Sequence, residues 1–259
     1  MRDFNAIFTI AYRDLMKLLR DPVRIVSTLI FPLIFIGILG GAFQAGLSDA
    51  VGYNLLVFIF TGIFAQTLFQ STATGVISLI EDRESDFSQE IFVSPISRYS
   101  IVFGKILGES LVALPQGLAI VVFAFVIGVP LSIGQLLWLV PVSLLVCLFG
   151  GAFGLLIMAN LTSQRAANQV FPFIMLPQFF LSGAFTPIQI LPWYLDILSR
   201  IMPMRYAIDM ARSVFYIGRP EYSKVVLAGP AYNLALMGGA FMLFMVIGTI
   251  LFVRGERNR

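Results

Sequence analysis

Hydrophobic residues run through the chain in six long blocks, each bounded by polar residues, glycines or prolines. Each block can cross a hydrocarbon core of about 30 Å as a helix that rises about 1.5 Å per residue. The blocks lie near residues 25–43, 55–80, 101–128, 135–159, 168–186 and 232–253. The pattern predicts an all-α integral membrane protein with six transmembrane helices.

The residues before the first block have a helical period instead. Over residues 1–22, apolar side chains form one stripe and basic side chains lie opposite it. The stripe consists of Phe4, Ile7, Phe8, Ala11, Leu15, Leu18 and Leu19, and the basic residues are Arg13, Lys17 and Arg20. The pattern predicts an amphipathic interfacial helix on anionic headgroups, ended by Asp21-Pro22. A cytosolic docking helix is the alternative interpretation.

The densest charge in the chain lies between the second and third blocks, at residues 81–98. As a helix, this segment would place Phe87 and Ile91 on one face and Asp86 and Glu90 on another, and it would end at Pro95. Charge of this density cannot lie in hydrocarbon, so we expect it in water beside the membrane, where a partner could hold it. A solvated loop is the simpler interpretation of composition alone.

The basic residues also predict the topology. They are concentrated in the N-terminal segment, the second and fourth connections and the C-terminal tail, and they are absent from the connections at 44–54 and 129–134. Both termini and residues 81–98 are therefore expected on the cytoplasmic side. The long fifth connection is an exception, since its basic residues would lie outside.

That fifth connection alternates prolines with apolar and aromatic residues over residues 187–218, in pieces too short to span a membrane. We expect two half-helices at or within the outer leaflet, a re-entrant hairpin with Trp193 and Tyr194 at the headgroups. Arg205, Asp209 and Arg212 share one face of the second piece, which predicts a local ion-paired stripe.

Polar residues inside the predicted spans are mainly amides and hydroxyls. Gln66, Gln70 and Thr74 recur every four residues on one face. Such residues either join helices or line a wet path. Amides beside phenylalanines would suit an amphipathic cargo, and the candidate path residues are Gln66, Phe69, Gln70, Phe173, Gln178, Phe179 and Phe180. Lys105 and Glu109, four residues apart, predict an internal ion pair.

The chain lacks the usual chemistry of an enzyme. It has no histidine and a single cysteine, Cys147 within a span, which removes the usual general base, the commonest metal ligand and any internal disulfide. Gly104-Lys105 lacks the upstream glycine and following hydroxyl of a phosphate-binding loop. We therefore expect no catalytic site, metal or cofactor in the chain, and no nucleic-acid partner.

The order of these parts resembles the membrane subunit of ABC-2 type ABC transporters, the permeases of bacterial drug, lipid and polysaccharide exporters. Asp82 to Arg98, followed by Gly104-Lys105, resembles the family's coupling-helix segment. Leu181 to Pro187, Leu191-Pro192-Trp193 and Pro203 to Arg212 resemble its signature before the last span.

The resemblance implies a division of labour between two proteins. The coupling helix at 81–98 would insert into a separate cytoplasmic ATPase, which binds ATP and magnesium. The coupling residues would be Glu81, Arg83, Glu84, Asp86, Phe87, Glu90, Ile91 and Pro95. The chain would comprise the interfacial helix at 1–22 and one transmembrane domain at 23–259.

The resemblance also implies an assembly and a location. A homodimer with two ATPase subunits would lie in the cytoplasmic membrane of a prokaryote and export an amphipathic drug, lipid or lipid-linked glycan. An ATP-independent secondary transporter or a channel is the alternative, although either would need titratable or ion-coordinating groups deep in the spans.

Overall fold

The computed structural model describes residues 2–80, 97–161 and 163–257, which are almost entirely helical and contain no strand. We number the α-helices of these residues in chain order. They are α1 Arg2–Leu19, α2 Pro22–Ile34, α3 Gly41–Val51, α4 Leu55–Gly75, α5 Arg98–Val126, α6 Ile133–Met158, α7 Gln164–Leu181, α8 Trp193–Ile201, α9 Pro203–Phe215, α10 Tyr222–Val225 and α11 Pro230–Arg257. A π-helical stretch, Phe35–Gly40, joins α2 to α3, and a 3-10 turn, Ile188–Ile190, precedes α8.

Five stretches of the described residues are long and apolar enough to cross a membrane. They are Ile25–Gly46, Leu55–Ile80, Arg98–Val126, Ile133–Met158 and Tyr222–Gly255. These stretches match the first four predicted blocks and the last one. The block predicted at 168–186 corresponds to α7, whose first turns are polar. Its predicted end was five residues too late, because α7 ends at Leu181 and Gly183 takes a left-handed φ of 83°.

Side-chain caps set where three of the long helices begin. The Asn54 side chain accepts a hydrogen bond from Val57 N at the start of α4. The Ser163 side chain accepts a hydrogen bond from Ala166 N at the start of α7. Ser132 and Gln135 form a reciprocal capping box at the start of α6. Each cap satisfies amide groups that the first helical turn leaves without partners, so these sequence positions fix the helix starts.

Helix α4 lies at the centre of the bundle and packs closely against α6. A Cβ atom at Gly150 would collide with the Phe69 carbonyl, and one at Gly154 would collide with the Ala73 carbonyl. The glycines of the fourth block therefore permit close helix contact.

The N-terminal helix α1 packs along the first turns of α5. Ile7 and Ala11 lie over Gly104 and Gly108, where an added Cβ would be only 3.0 Å from each Cα. The predicted apolar stripe is thereby divided between two surroundings. Ala11 and Leu18 are buried against the protein, whereas Phe4, Phe8 and Leu19 are exposed.

Three connections meet at one end of the bundle, which we call the hairpin end. Gln44 accepts a hydrogen bond from Leu55 N, Gln135 donates to Phe215 O, and Lys224 donates to Gly52 O. The opposite end, which we call the α1 end, holds α1 and the first turns of α5 and α7. Residues 44–54, 129–134 and the fifth connection thus share one side. The charge pattern predicts this for the first two, whereas the basic residues of the fifth connection are the exception to it.

The fifth connection contains two short helices, α8 and α9, as predicted. The prediction of an ion-paired stripe within α9 is wrong. Arg205 pairs with Asp196 of α8 at 3.0 Å. Asp209 instead accepts hydrogen bonds from Leu227 N, Ala228 N and the Asn233 side chain. The prediction considered only residues on α9 itself, whereas tertiary packing supplies partners from α8 and α11.

Candidate functional site

The predicted coupling residues, Glu81 to Pro95, lie outside the described residues. The described chain stops at Ile80, after α4, and resumes at Ser97, before α5. The role assigned to this segment therefore stays a prediction.

A cavity of about 540 Å³ lies between α2, α4, α5 and α7, in the half of the bundle nearer the α1 end. Its lining residues come from all four helices and from the turn that follows α4. They are Ser27, Thr28, Phe31, Pro32, Ile63, Gln66, Thr67, Gln70, Ser71, Thr74, Gly75, Ile77, Ser78, Gln116, Gln164 and Asn168. The volume lies within the range of about 300–1,000 Å³ that is usual for ligand pockets.

Sequence periodicity explains part of this lining. Gln66, Gln70 and Thr74 are four residues apart, which places them on one face of α4 toward the cavity. The cap at Ser163 starts α7 so that its first two turns bring Gln164 and Asn168 to the same space.

Sequence analysis missed the contributions of α2 and α5. Ser27 and Thr28 lie in the second turn of α2, and Gln116 follows Pro115 in an otherwise apolar part of α5. In the sequence, these residues are an isolated polar residue or a polar pair inside an apolar block, and that pattern could have pointed to the cavity.

The cavity is polar without being charged. Eleven of its lining residues carry amides or hydroxyls, and none is acidic or basic. Thr28, Thr67 and Ser78 donate their hydroxyl hydrogens to the backbone carbonyls of Ile25, Ile63 and Gly75. These hydroxyls therefore have no hydrogen left to donate to a ligand, whereas amides such as those of Gln70 and Asn168 carry both donors and acceptors.

Gln66 is the most deeply placed amide of the cavity. Its side chain is only 3% exposed, and its Oε1 has no hydrogen-bond partner within the described ranges. A buried polar atom without a partner costs about 1–3 kcal/mol. A ligand that donates a hydrogen bond there would remove that cost.

A buried ionic cluster lies at the α1 end, close to the cavity. Lys105 Nζ is 2.6 Å from Asp14 Oδ2 and 2.9 Å from Glu109 Oε1, and all three side chains are at most 5% exposed. The Ser78 hydroxyl lies 3.3 Å from Glu109 Oε1. The predicted pair of Lys105 and Glu109 is confirmed, while Asp14 was missed because it lies among basic residues on α1. The cluster joins α1, α5 and the end of α4.

A second buried cation holds the hairpin end together. Arg212 is 2% exposed, and it donates hydrogen bonds to Gly183 O at 2.7 Å and Phe58 O at 3.3 Å. Its guanidinium lies 3.6 Å from the centre of the Phe58 ring, a cation–π contact. Burial lowers the pKa of Arg212 to about 10, so it remains protonated at neutral pH. The residue ties α9 to the start of α4 and to the turn after α7.

Comparison with known proteins decides the family. The sequence profile of the ABC-2 type transporter matches residues 5–216, which covers α1 to α9. The chain belongs to the ABC-2 type transporter family. The predicted resemblance is therefore confirmed, and the membrane domain of an ABC transporter implies an ATPase partner.

Individual relatives of this ABC-2 domain are named as permeases. A transport permease of Cyanophora paradoxa, ycf38, is 28% identical over 214 residues, which cover 81% of this chain and 73% of the relative. The multidrug ABC transporter permease YbhR of Escherichia coli K12 is 32% identical over 143 residues, or 54% of this chain and 38% of the relative. The inner membrane transport permease YhhJ of the same organism is 26% identical over 185 residues, or 70% and 48%.

Of the path residues predicted for this ABC-2 domain, Gln66 and Gln70 come together in the cavity. Phe69 packs against the rings of Phe149 and Phe153 and does not line the cavity. Gln178 accepts a hydrogen bond from Met204 N at 3.1 Å, which joins α7 to α9.

The remaining three predicted path residues, all phenylalanines, lie on α7. Phe179 contacts Phe31, which does line the cavity, with ring centres 5.9 Å apart. Phe173 and Phe180 are exposed on the surface of α7. Whether these phenylalanines contact a cargo stays a prediction.

Proposed function

We propose that this chain is the permease subunit of an ATP-driven exporter. In this role it moves an amphipathic compound across or out of the cytoplasmic membrane of a prokaryote, while a separate cytoplasmic ATPase supplies the energy. The observation that carries the proposal is the uncharged polar cavity between α2, α4, α5 and α7.

The cavity offers both kinds of surface that an amphipathic molecule needs. Gln66, Gln70 and Asn168 supply hydrogen-bonding groups, while Phe31 and Ile63 supply apolar wall. A hydrocarbon portion gains free energy by leaving water, and a polar portion keeps hydrogen bonds that lipid tails could not offer.

The proposed topology has six spans, with α7 as the fifth. The 18 residues of α7 would reach about 27 Å at about 1.5 Å per residue, close to a hydrocarbon core of about 30 Å. The α1 end would face the cytoplasm, since basic residues are concentrated in the segments that belong to it. Helices α8 and α9 would then lie in the outer leaflet as a re-entrant pair.

The proposed coupling element is the segment from Glu81 to Pro95. Its neighbours are fixed within the protein, because the end of α4 and the first turns of α5 both reach the ionic cluster of Asp14, Lys105 and Glu109. A force applied to the segment by an ATPase would therefore act on α1, α4 and α5 together.

A second copy of the chain would complete the path. Helices α2 and α7 border the cavity and also expose apolar side chains, among them Ile34, Phe173 and Phe180. We propose that these exposed faces meet their counterparts in a homodimer, so that the two cavities share one interface.

Co-purification and cargo-dependent ATP hydrolysis test this function. The chain is expressed with a candidate ATPase subunit and reconstituted in liposomes, and export of candidate amphiphiles is measured with and without ATP. We expect ATP-dependent movement and hydrolysis that rises with cargo. Transport by the chain alone, or ion flux without ATP, would instead support a secondary transporter or a channel.

A further inference from the structure

We propose that the cavity selects a cargo whose head is uncharged and rich in hydroxyl groups, attached to a hydrocarbon portion. This inference rests on the proposed function and adds the chemical class of the molecule that the cavity takes.

The first argument is the absence of charge from the lining. No cavity-lining residue among the described part of the chain is acidic or basic. The Glu109 carboxylate lies 3.3 Å from the Ser78 hydroxyl of this lining, and it is already paired with Lys105 at 2.9 Å. A charged head would lose its water here without meeting an opposite charge, which disfavours both cations and anions.

The second argument is the balance of donors and acceptors. The hydroxyls of Thr67 and Ser78 donate their hydrogens to backbone carbonyls, so they can only accept a hydrogen bond from a ligand. The amides of Gln70 and Asn168 offer NH₂ donors as well as carbonyl acceptors. A sugar-like hydroxyl both donates and accepts, so a group of hydroxyls can pair with both the hydroxyl acceptors and the amide donors of this lining.

The third argument concerns the apolar side of the cavity. Phe31 lines it together with Pro32, and the Phe31 ring is packed against Phe35 at 4.1 Å and Phe179 at 5.9 Å. This aromatic group stands on the hairpin side of the cavity, next to the exposed faces of α2 and α7. A hydrocarbon portion fits there, whereas a free sugar would leave it uncovered.

Competition binding on the chain without its ATPase tests the proposal. The purified chain is placed in phosphatidylcholine nanodiscs, and binding of radiolabelled dodecyl maltoside is measured above that of empty nanodiscs. The competitors share the same tail and differ in the head: dodecyl maltoside, dodecyl trimethylammonium and dodecyl sulfate. Maltose alone tests whether the hydrocarbon portion is needed.

We expect displacement by unlabelled dodecyl maltoside and none, at equal concentration, by the charged amphiphiles or by maltose. A charged amphiphile that displaces the label equally well overturns the uncharged head. Displacement by maltose alone overturns the need for a tail. A lack of binding above empty nanodiscs overturns the proposal as a whole.

Matched variants locate the binding. Gln70→Leu and Asn168→Leu should each weaken binding about fivefold or more, because each removes hydrogen-bonding groups from the cavity. Gln169→Leu is the control, since Gln169 is the next residue on the same helix and is exposed outside the cavity. An equal loss in Gln169→Leu would show that the label binds elsewhere. Neither ATP nor the ATPase is present, so failure of the exporter role and failure of this selectivity give separate results.

Discussion

Lys105 Nζ lies 2.6 Å from Asp14 Oδ2, so two residues that are 91 positions apart form a buried ion pair between α5 and α1. Glu109 approaches the same ammonium group at 2.9 Å. Water cannot hydrate these charges, so they depend on one another for compensation, and Asp14 also pairs with Arg13 at 3.1 Å. The N-terminal helix is thus bound to the bundle by charge as well as by contact with Gly104 and Gly108.

Removal of the central cation should be strongly destabilising. Lys105→Met would remove the cation that Asp14 and Glu109 share. Asp14 would keep Arg13 at 3.1 Å, whereas Glu109 would lose the cation that it pairs with. Breaking a buried pair in this way costs about 3–5 kcal/mol. We expect a clear fall in the melting temperature of the purified protein, measured by size-exclusion chromatography after heating. The triple variant Asp14→Asn, Lys105→Met and Glu109→Gln should recover much of that loss, because it leaves neither buried carboxylate charged, and Arg13, which also pairs with Asp14, is partly exposed to solvent.

An exposed ion pair provides the control for this experiment. Arg200 and Asp196 are 2.7 Å apart, but the Arg200 side chain is 66% exposed. Such surface pairs contribute about 0–1 kcal/mol, so Arg200→Gln should change the melting temperature little. A Lys105→Met protein as stable as Arg200→Gln would contradict the buried cluster.

The close packing of α4 against α6 predicts a second result. Gly154→Ala would drive a methyl group into the Ala73 carbonyl, and overpacking of this kind costs about 1–3 kcal/mol. We expect a lower yield of folded protein and a lower melting temperature. Gly239→Ala is the matched control on α11, where a Cβ atom would meet nothing within 4 Å. If both variants behaved alike, the helix contact would be refuted.

Sequence patterns predicted the helices well because a long apolar block has few alternatives to a spanning helix. They also placed Gln66 and Gln70 on one face, since the helical period alone decides that. They could not pair Asp14 with Lys105, because the pairing depends on how α1 packs against α5. For the same reason the predicted partner of Arg212 was wrong. Local spacing suggested Asp209, whereas in the fold Arg212 bonds to the carbonyls of Phe58 and Gly183.

Those partners predict a specific requirement for arginine at position 212. Its guanidinium reaches Gly183 O, Phe58 O and the Phe58 ring at once. Arg212→Lys keeps a charge but lacks the planar fork, so it should lose stability and loosen the turn after α7. Limited proteolysis between α7 and α8, followed by mass spectrometry, measures that loosening. Arg254→Lys, at an exposed arginine of α11, should leave the cleavage pattern unchanged.

The last prediction concerns coupling to the ATPase. Glu84, Phe87 and Glu90 are predicted to contact the partner, and they lie between two helices that the ionic cluster holds at the α1 end. Glu84→Lys, Phe87→Ala and Glu90→Lys should therefore abolish ATP-dependent export while the protein still inserts and folds. Export in liposomes and the melting temperature of the purified chain are measured side by side.

A control for charge reversal lies at the opposite end of the bundle. Glu221, just before α10, belongs to the hairpin end and should face away from the ATPase, so Glu221→Lys should export normally. Loss of ATPase co-purification in the three coupling variants, with normal stability, would support direct docking. Undiminished export by all three variants would show that residues 81–98 do not couple the ATPase to transport.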